Sequence, residues 1–181
     1  MISGLIPHRY AKALYKFALE SNSTERVYKE MKSVITAFTQ NPDMEKVMQN
    51  PFASVEDKRK LLLTAAGPDA SDDFARFVTL ILDHHREDFA MLMAYAYRDI
   101  YRRENKISEV KITTAAKFGD EEMQKLRKVV ENAFKGYTFE YSYDVEPGLI
   151  GGFVIDVDST RMDASLSNEL EQLRLNLLES V

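Results

Sequence analysis

Asp156-Val157-Asp158-Ser159-Thr160 is the stretch that most invites a chemical reading, because it has the D-x-D-x-T form of phosphatases that work through an aspartyl-phosphate. In that chemistry the first aspartate is the nucleophile and the second the acid/base, and the motif follows an apolar strand, as it does here. Such an enzyme also needs a lysine and a further acidic metal-binding pair on later strands of a doubly wound sheet. After Thr160 the pattern leaves room for one helix only, so the expectation is a polar turn whose Asp and Thr cap that last helix. Gly148, Gly151 and Gly152 match neither G-x-x-x-x-G-K-[ST] nor G-x-G-x-x-G and lead into a strand, which predicts a turn or bulge rather than a phosphate cradle. His84 and His85 are neighbours, so on a helix they point about 100° apart and do not share a metal as an i, i+4 pair does. His8 stands alone. With no cysteine in the chain, thiolate metal sites, disulfides and cysteine nucleophiles are excluded, and no cofactor or metal site is expected.

The elements that position these residues fall into two kinds. The chain has 181 residues, 45% of them hydrophobic and 29% charged, enough to bury one or two small cores under a wet surface. No run approaches the roughly 20 apolar residues a bilayer span needs, and the opening residues lack a secretory leader, which predicts a soluble chain. Residues 1–105 carry 15 basic and 15 acidic side chains, whereas 106–181 carry 9 and 14, so the net charge of −5 resides in the second part. That acidic part repels phosphate backbones and suits either a basic protein partner or simple solubility.

Residues 1–105 read as helices. Pro7 suits a first turn, and Ile6, Tyr10, Leu14 and Phe17 share a helical face. Val27, Met31, Val34, Ile35 and Phe38 form a second stripe ended by Asn41-Pro42, and a short helix over Met44 to Met48 stops at Asn50-Pro51. Ser54 with Asp57 opens a fourth helix that Gly67-Pro68 closes, Ser71 caps a fifth bearing Phe74, Phe77, Val78, Ile81 and Leu82, and a sixth runs from about Asp88 through Tyr101. The predicted architecture is therefore mostly α, an N-terminal six-helix bundle over 1–105 followed by a small α/β domain over 106–181. In the second domain Val110, Ile112 and Thr114 alternate as a strand, and Met123, Leu126, Val130 and Phe134 mark a helix. Tyr137, Phe139, Tyr141 and Tyr143 alternate next, Phe153, Ile155 and Val157 follow as a third strand, and Leu166, Leu170, Leu173 and Leu177 recur every three or four residues on a terminal helix.

Three segments, IPHRYAKALYKFALE, YRRENKISEVKITTA and EPGLIGGFVIDVDSTRMDASLSNELEQLR, occur in one order along the chain. Together they resemble the delta subunit of F-type ATP synthases, the bacterial counterpart of the mitochondrial oligomycin-sensitivity conferral protein. The resemblance implies a stator component without catalytic residues, linking the alpha/beta catalytic head to the b subunits so that rotor torque is resisted. It implies that a groove between the first and fifth helices binds the N-terminal helix of an alpha subunit, with Tyr10, Leu14, Phe17, Phe74, Phe77, Val78 and Ile81 as the candidates. It implies further that the C-terminal domain meets the b subunits, for which Leu166, Leu170, Leu173 and Leu177 are a candidate surface. The expected setting is the cytoplasmic face of a bacterial plasma membrane, reached only through the complex, with the isolated chain a monomer. Against this stand a D-x-D-x-T phosphatase and a generic helix-binding adaptor.

Overall fold

Prolines, glycines and short polar side chains punctuate the first part of the chain into helices. The computed structural model describes residues 4–179, in two compact units that divide between Glu104 and Asn105. The first unit holds α1 (Leu5–Glu20), α2 (Thr24–Gln40), α3 (Asp43–Gln49), α4 (Val55–Ala66), α5 (Asp72–Asp83) and α6 (Ala90–Glu104), with a 3₁₀ turn over Glu87–Phe89 before α6. The α6 helix thus begins later than the apolar pattern suggests, because Glu87–Phe89 tightens into the 3₁₀ turn first. Two N-termini are capped by serine: Ser54 Oγ accepts from the Asp57 amide at 3.1 Å and Ser71 Oγ from the Phe74 amide at 3.2 Å. A side-chain cap of this kind contributes about 1 kcal/mol.

The ends of α1 and α5 share one device. At α1 the Ser23 amide donates to the Ala18 carbonyl and the Asn22 amide to that of Leu19, with Asn22 at φ 55°. At α5 the Arg86 amide donates to Ile81 and the His85 amide to Leu82, with His85 at φ 52°. Both are Schellman endings, in which a left-handed residue lets the last carbonyls find donors. Asn and His are among the non-glycine residues that tolerate this conformation best.

The core of this unit is apolar and aromatic, with Tyr97, Phe74, Met31, Met48, Leu62, Ile81 and Met93 almost wholly out of solvent. Tyr97 keeps its hydroxyl satisfied by donating to the Thr24 carbonyl at 3.2 Å, and Tyr28 stacks on Tyr101 at 4.2 Å between centroids. Burial pushes the Tyr97 phenol well above its ordinary pKa. A buried carboxylate fastens α5 in place: Glu30 accepts from the Ser71 amide at 2.6 Å and the Ser71 hydroxyl at 2.7 Å, and Arg26 lies 3.6 Å away. Asp73, two residues on, accepts from the hydroxyls of Ser21 and Ser23. Those two hydrogen bonds hold its carboxyl below the usual carboxylate range.

The second unit is a four-stranded sheet in the order β2-β1-β3-β4, built from β1 (Ile107–Thr114), β2 (Thr138–Val145), β3 (Gly152–Val157) and β4 (Thr160–Ser165). Helix α7 (Asp120–Ala133) is the crossover that parallel pairing of β1 with β2 requires, while β3 runs antiparallel to both β1 and β4. Val110, Ile112, Ile155 and Val157 meet Leu126 and Val130 of α7 in the core, with Phe118, Phe134, Phe139 and Tyr141 at its margin. The terminal helix α8 (Leu166–Glu179) follows β4 directly.

One expectation for this unit is corrected. No polar turn from Thr160 caps the last helix; Thr160–Ser165 is a fourth strand, paired Val157 to Thr160 and Gly152 to Ser165 across a two-residue turn at Asp158-Ser159. The helix cap is Ser165, whose Oγ accepts from the Asn168 amide at 3.2 Å and donates to Asp163 at 2.6 Å. The glycines serve the same hairpin. Gly152 sits at φ +73°, and a Cβ there would collide with the Ala164 carbonyl oxygen, so only glycine lets the two strands approach.

Candidate interaction surfaces

The phosphatase reading depends on Asp156 and Asp158, and both are engaged in holding the hairpin. Asp156 lies 3.8 Å from Arg161 across the β3–β4 pair. Asp158 exchanges hydrogen bonds with Glu109, its amide donating to the Glu109 carbonyl and its carboxylate accepting from the Glu109 amide, both at 3.0 Å. Among the described residues no group of three or more His, Asp or Glu side chains is placed to hold a metal ion. Exposed apolar side chains, by contrast, gather along α1 and α5 and on α8.

The first lies along α1 and α5, which pack against each other. Helix α1 carries two parallel stripes. Pro7, Ala11, Leu14 and Ala18 are buried, and their small size lets the helix sit close to its neighbours. About 100° around the helix, Ile6, Tyr10, Ala13 and Phe17 form a second stripe that is only partly covered. Phe17 is 38% exposed with the Arg76 guanidinium 6.0 Å from its ring, and Tyr10 makes an edge contact with His84 at 6.3 Å. On α5 the matching edge is Arg76, Leu80 and His84, and Leu80 is 43% exposed. Of the seven residues expected here, Leu14, Phe74, Phe77, Val78 and Ile81 are core, while Tyr10 and Phe17 reach the seam. Ala13, Leu80 and His84 belong to it as well. A helical wheel centred one residue off the core stripe finds them.

At one end of the seam is a cavity of about 300 Å³ lined by Ile6, Arg9, Tyr10, His84 and Arg86. Beside it, Glu87 is half-buried; burial alone pushes its carboxyl up, but the 2.7 Å hydrogen bond from the buried Lys58 ammonium holds it below the usual range.

The second surface is α8. None of its described side chains is buried, and Leu166, Leu170, Leu173 and Leu177 form one stripe with spacings of four, three and four, all close to half exposed or more. Leu175 lies on the opposite side of the helix and Leu178 on its flank, and all six leucines are between 45% and 69% exposed. Its base is anchored: the Leu166 amide donates to the Gly151 carbonyl at 3.0 Å, and a Cβ on Gly151 would come within 2.5 Å of the Leu166 side chain. Contiguous exposed apolar surface of this kind is characteristic of interaction sites.

The chain pairs a helical unit with a small mixed sheet, and each unit displays exposed apolar side chains. The family model described as "ATP synthase delta (OSCP) subunit" matches residues 6–177, and the chain belongs to that family. Its role is that of a non-catalytic stator subunit of an ATP synthase. It is similar to ATP synthase subunit delta of Parabacteroides distasonis, at 38% identity over 98% of each chain. The corresponding subunit of Phocaeicola vulgatus is 35% identical over 96% of this chain and 94% of that one. Among solved structures the fold resembles a chain of the Toxoplasma gondii mitochondrial ATP synthase hexamer, with a TM-score of 0.70 at 22% identity, over 95% of this chain and 97% of that one. Among the described residues no helix is long and apolar enough to cross a membrane.

Proposed function

We propose that the six helices of the first unit act as one bundle that holds the N-terminal helix of an alpha subunit in the α1/α5 seam, and that α8 engages the b subunits. A rotary synthase does work only if its catalytic head is held against the rotor, so such a link must be tight and stiff rather than reactive. A nanomolar contact needs about 12 kcal/mol, within reach of a helix packed in an apolar groove over a standard interface. The observation that carries this reading is α8: a helix with six exposed leucines and no buried side chain among its described residues is a binding element in search of a partner. The seam supports the other half, since Phe17 and Leu80 are exposed and Tyr10 is partly so beside a well-packed core. The expected location is peripheral, on the cytoplasmic face of a bacterial plasma membrane, with the membrane touched only through the complex.

The test uses the full chain with two probes, a peptide from the N-terminus of the cognate alpha subunit and the soluble segment of the cognate b subunit. Leu170→Asp with Leu173→Asp should abolish b binding and leave the peptide affinity intact, whereas Phe17→Asp with Leu80→Asp should do the reverse. Retention of b binding by the α8 variant removes α8 from the interface, and no peptide binding by the unaltered chain at micromolar concentration removes the seam.

A further inference from the structure

We propose that the α1/α5 seam selects its helix by charge as well as by fit, its terminal cavity receiving a carboxylate carried by the partner helix. The inference rests on the reading of the seam as a helix-docking site and adds the chemistry that sets register and direction. The cavity of about 300 Å³ combines an apolar floor, Ile6 and the Tyr10 ring, with the polar side chains of Arg9, His84 and Arg86. Arg9 and Arg86 are exposed, and among the described residues neither guanidinium is in an ion pair. Other arginines are already engaged: Arg26 with Glu30, Arg98 with Asp99 and Arg161 with Asp156.

The carboxylates near this end do not neutralise the pair. Glu87 is held by Lys58 at 2.7 Å, and Asp83 and Asp88 are exposed and do not line the cavity. The position of Arg86 is built in, because the Schellman ending of α5 fixes its backbone through the 2.8 Å hydrogen bond to Ile81 and turns the chain at the left-handed His85. A guanidinium presents a planar fork that takes a carboxylate through two parallel hydrogen bonds. A cavity of this size holds the end of a glutamate or aspartate side chain with water beside it, each water occupying about 30 Å³. Phe17 and Tyr10 are seven positions apart on α1, about 10 Å along the axis. The matching partner is therefore an amphipathic helix with its acidic residue about two turns from the apolar residue that meets Phe17.

The experiment titrates the full chain with the N-terminal peptide of the cognate alpha subunit at low and high salt, comparing the unaltered chain with an Arg9→Glu, Arg86→Glu double variant. Both positions are exposed, and circular dichroism checks that the fold is kept. The double variant should bind about tenfold or more weakly at low salt, lose most of the salt dependence, and recover affinity for a peptide whose acidic residue at that spacing is replaced by lysine. Binding within twofold of the unaltered chain, or a cognate peptide without an acidic residue there that binds tightly, overturns the charge selection while leaving the seam as docking site. Absence of binding by the unaltered chain removes the docking reading and the selection together.

Discussion

Helices α5 and α8 are nearly matched in length and in apolar content, yet they meet opposite fates. In α5, Phe74, Phe77, Val78, Ile81 and Leu82 are all buried, and Glu30 clamps the N-terminus through Ser71. In α8 six leucines are exposed, and its first turn is tied down by Gly151 and Ser165. Periodicity is a demand for a cover and does not say which chain supplies it. For α5 the cover is internal; for α8 we propose that it comes from another protein.

That contrast is open to measurement in the free protein. Phe74→Ala or Ile81→Ala should lower the unfolding free energy of the helical unit by about 3–5 kcal/mol, while Leu170→Ala or Leu173→Ala should change stability by less than about 0.5 kcal/mol. Urea denaturation followed by circular dichroism reads both, and a large loss from the α8 leucines would break the comparison. Gly152→Ala, next in size, should cost at least about 2 kcal/mol in the second unit through strain at φ +73° and collision with Ala164, showing that this unit depends on its hairpin and not on α8. Glu30→Ala leaves the Ser71 amide without its buried acceptor and should cost the helical unit about 1–3 kcal/mol by the same assay.

Asp73 gives a smaller, pH-dependent effect. Its folded pKa lies below the ordinary value of 3.8, so its contribution is complete above that value and is lost as pH falls through the lowered one. Asp73→Asn should flatten the acid limb of the stability curve and leave its neutral region almost parallel. The smallest effect belongs to His85→Gly, which relieves a left-handed residue at the end of α5 and should stabilise by less than about 1 kcal/mol in the same denaturation series.

Much of the helical unit is legible in the sequence because its boundaries use local chemistry. Ser54 and Ser71 cap where serine before an acidic turn predicts, and Asn41-Pro42 and Asn50-Pro51 interrupt helices as proline must. Strand β4 escapes such a reading: in Thr160–Ser165 only Met162 is large and apolar, so an edge strand with almost no inner face has no pattern to show. The surfaces divide the same way. The stripe Leu166, Leu170, Leu173 and Leu177 is visible as a stripe, but its exposure is a property of what is missing around it. On α1, the step from the buried Leu14 to the partly covered Tyr10 and Phe17 is one position on the wheel, finer than a face assignment resolves. Arg9 and Arg86 are 77 positions apart, and only the packing of α1 on α5 brings them to one cavity.

The leucines of α8 also set the terms on which a surplus copy survives. A fully folded chain that has not been incorporated still displays the kind of greasy segment by which chaperones and proteases recognise unfinished proteins. On the proposal that α8 is a docking helix, the same six side chains that would fasten the chain into an enzyme also mark a copy left outside one for removal.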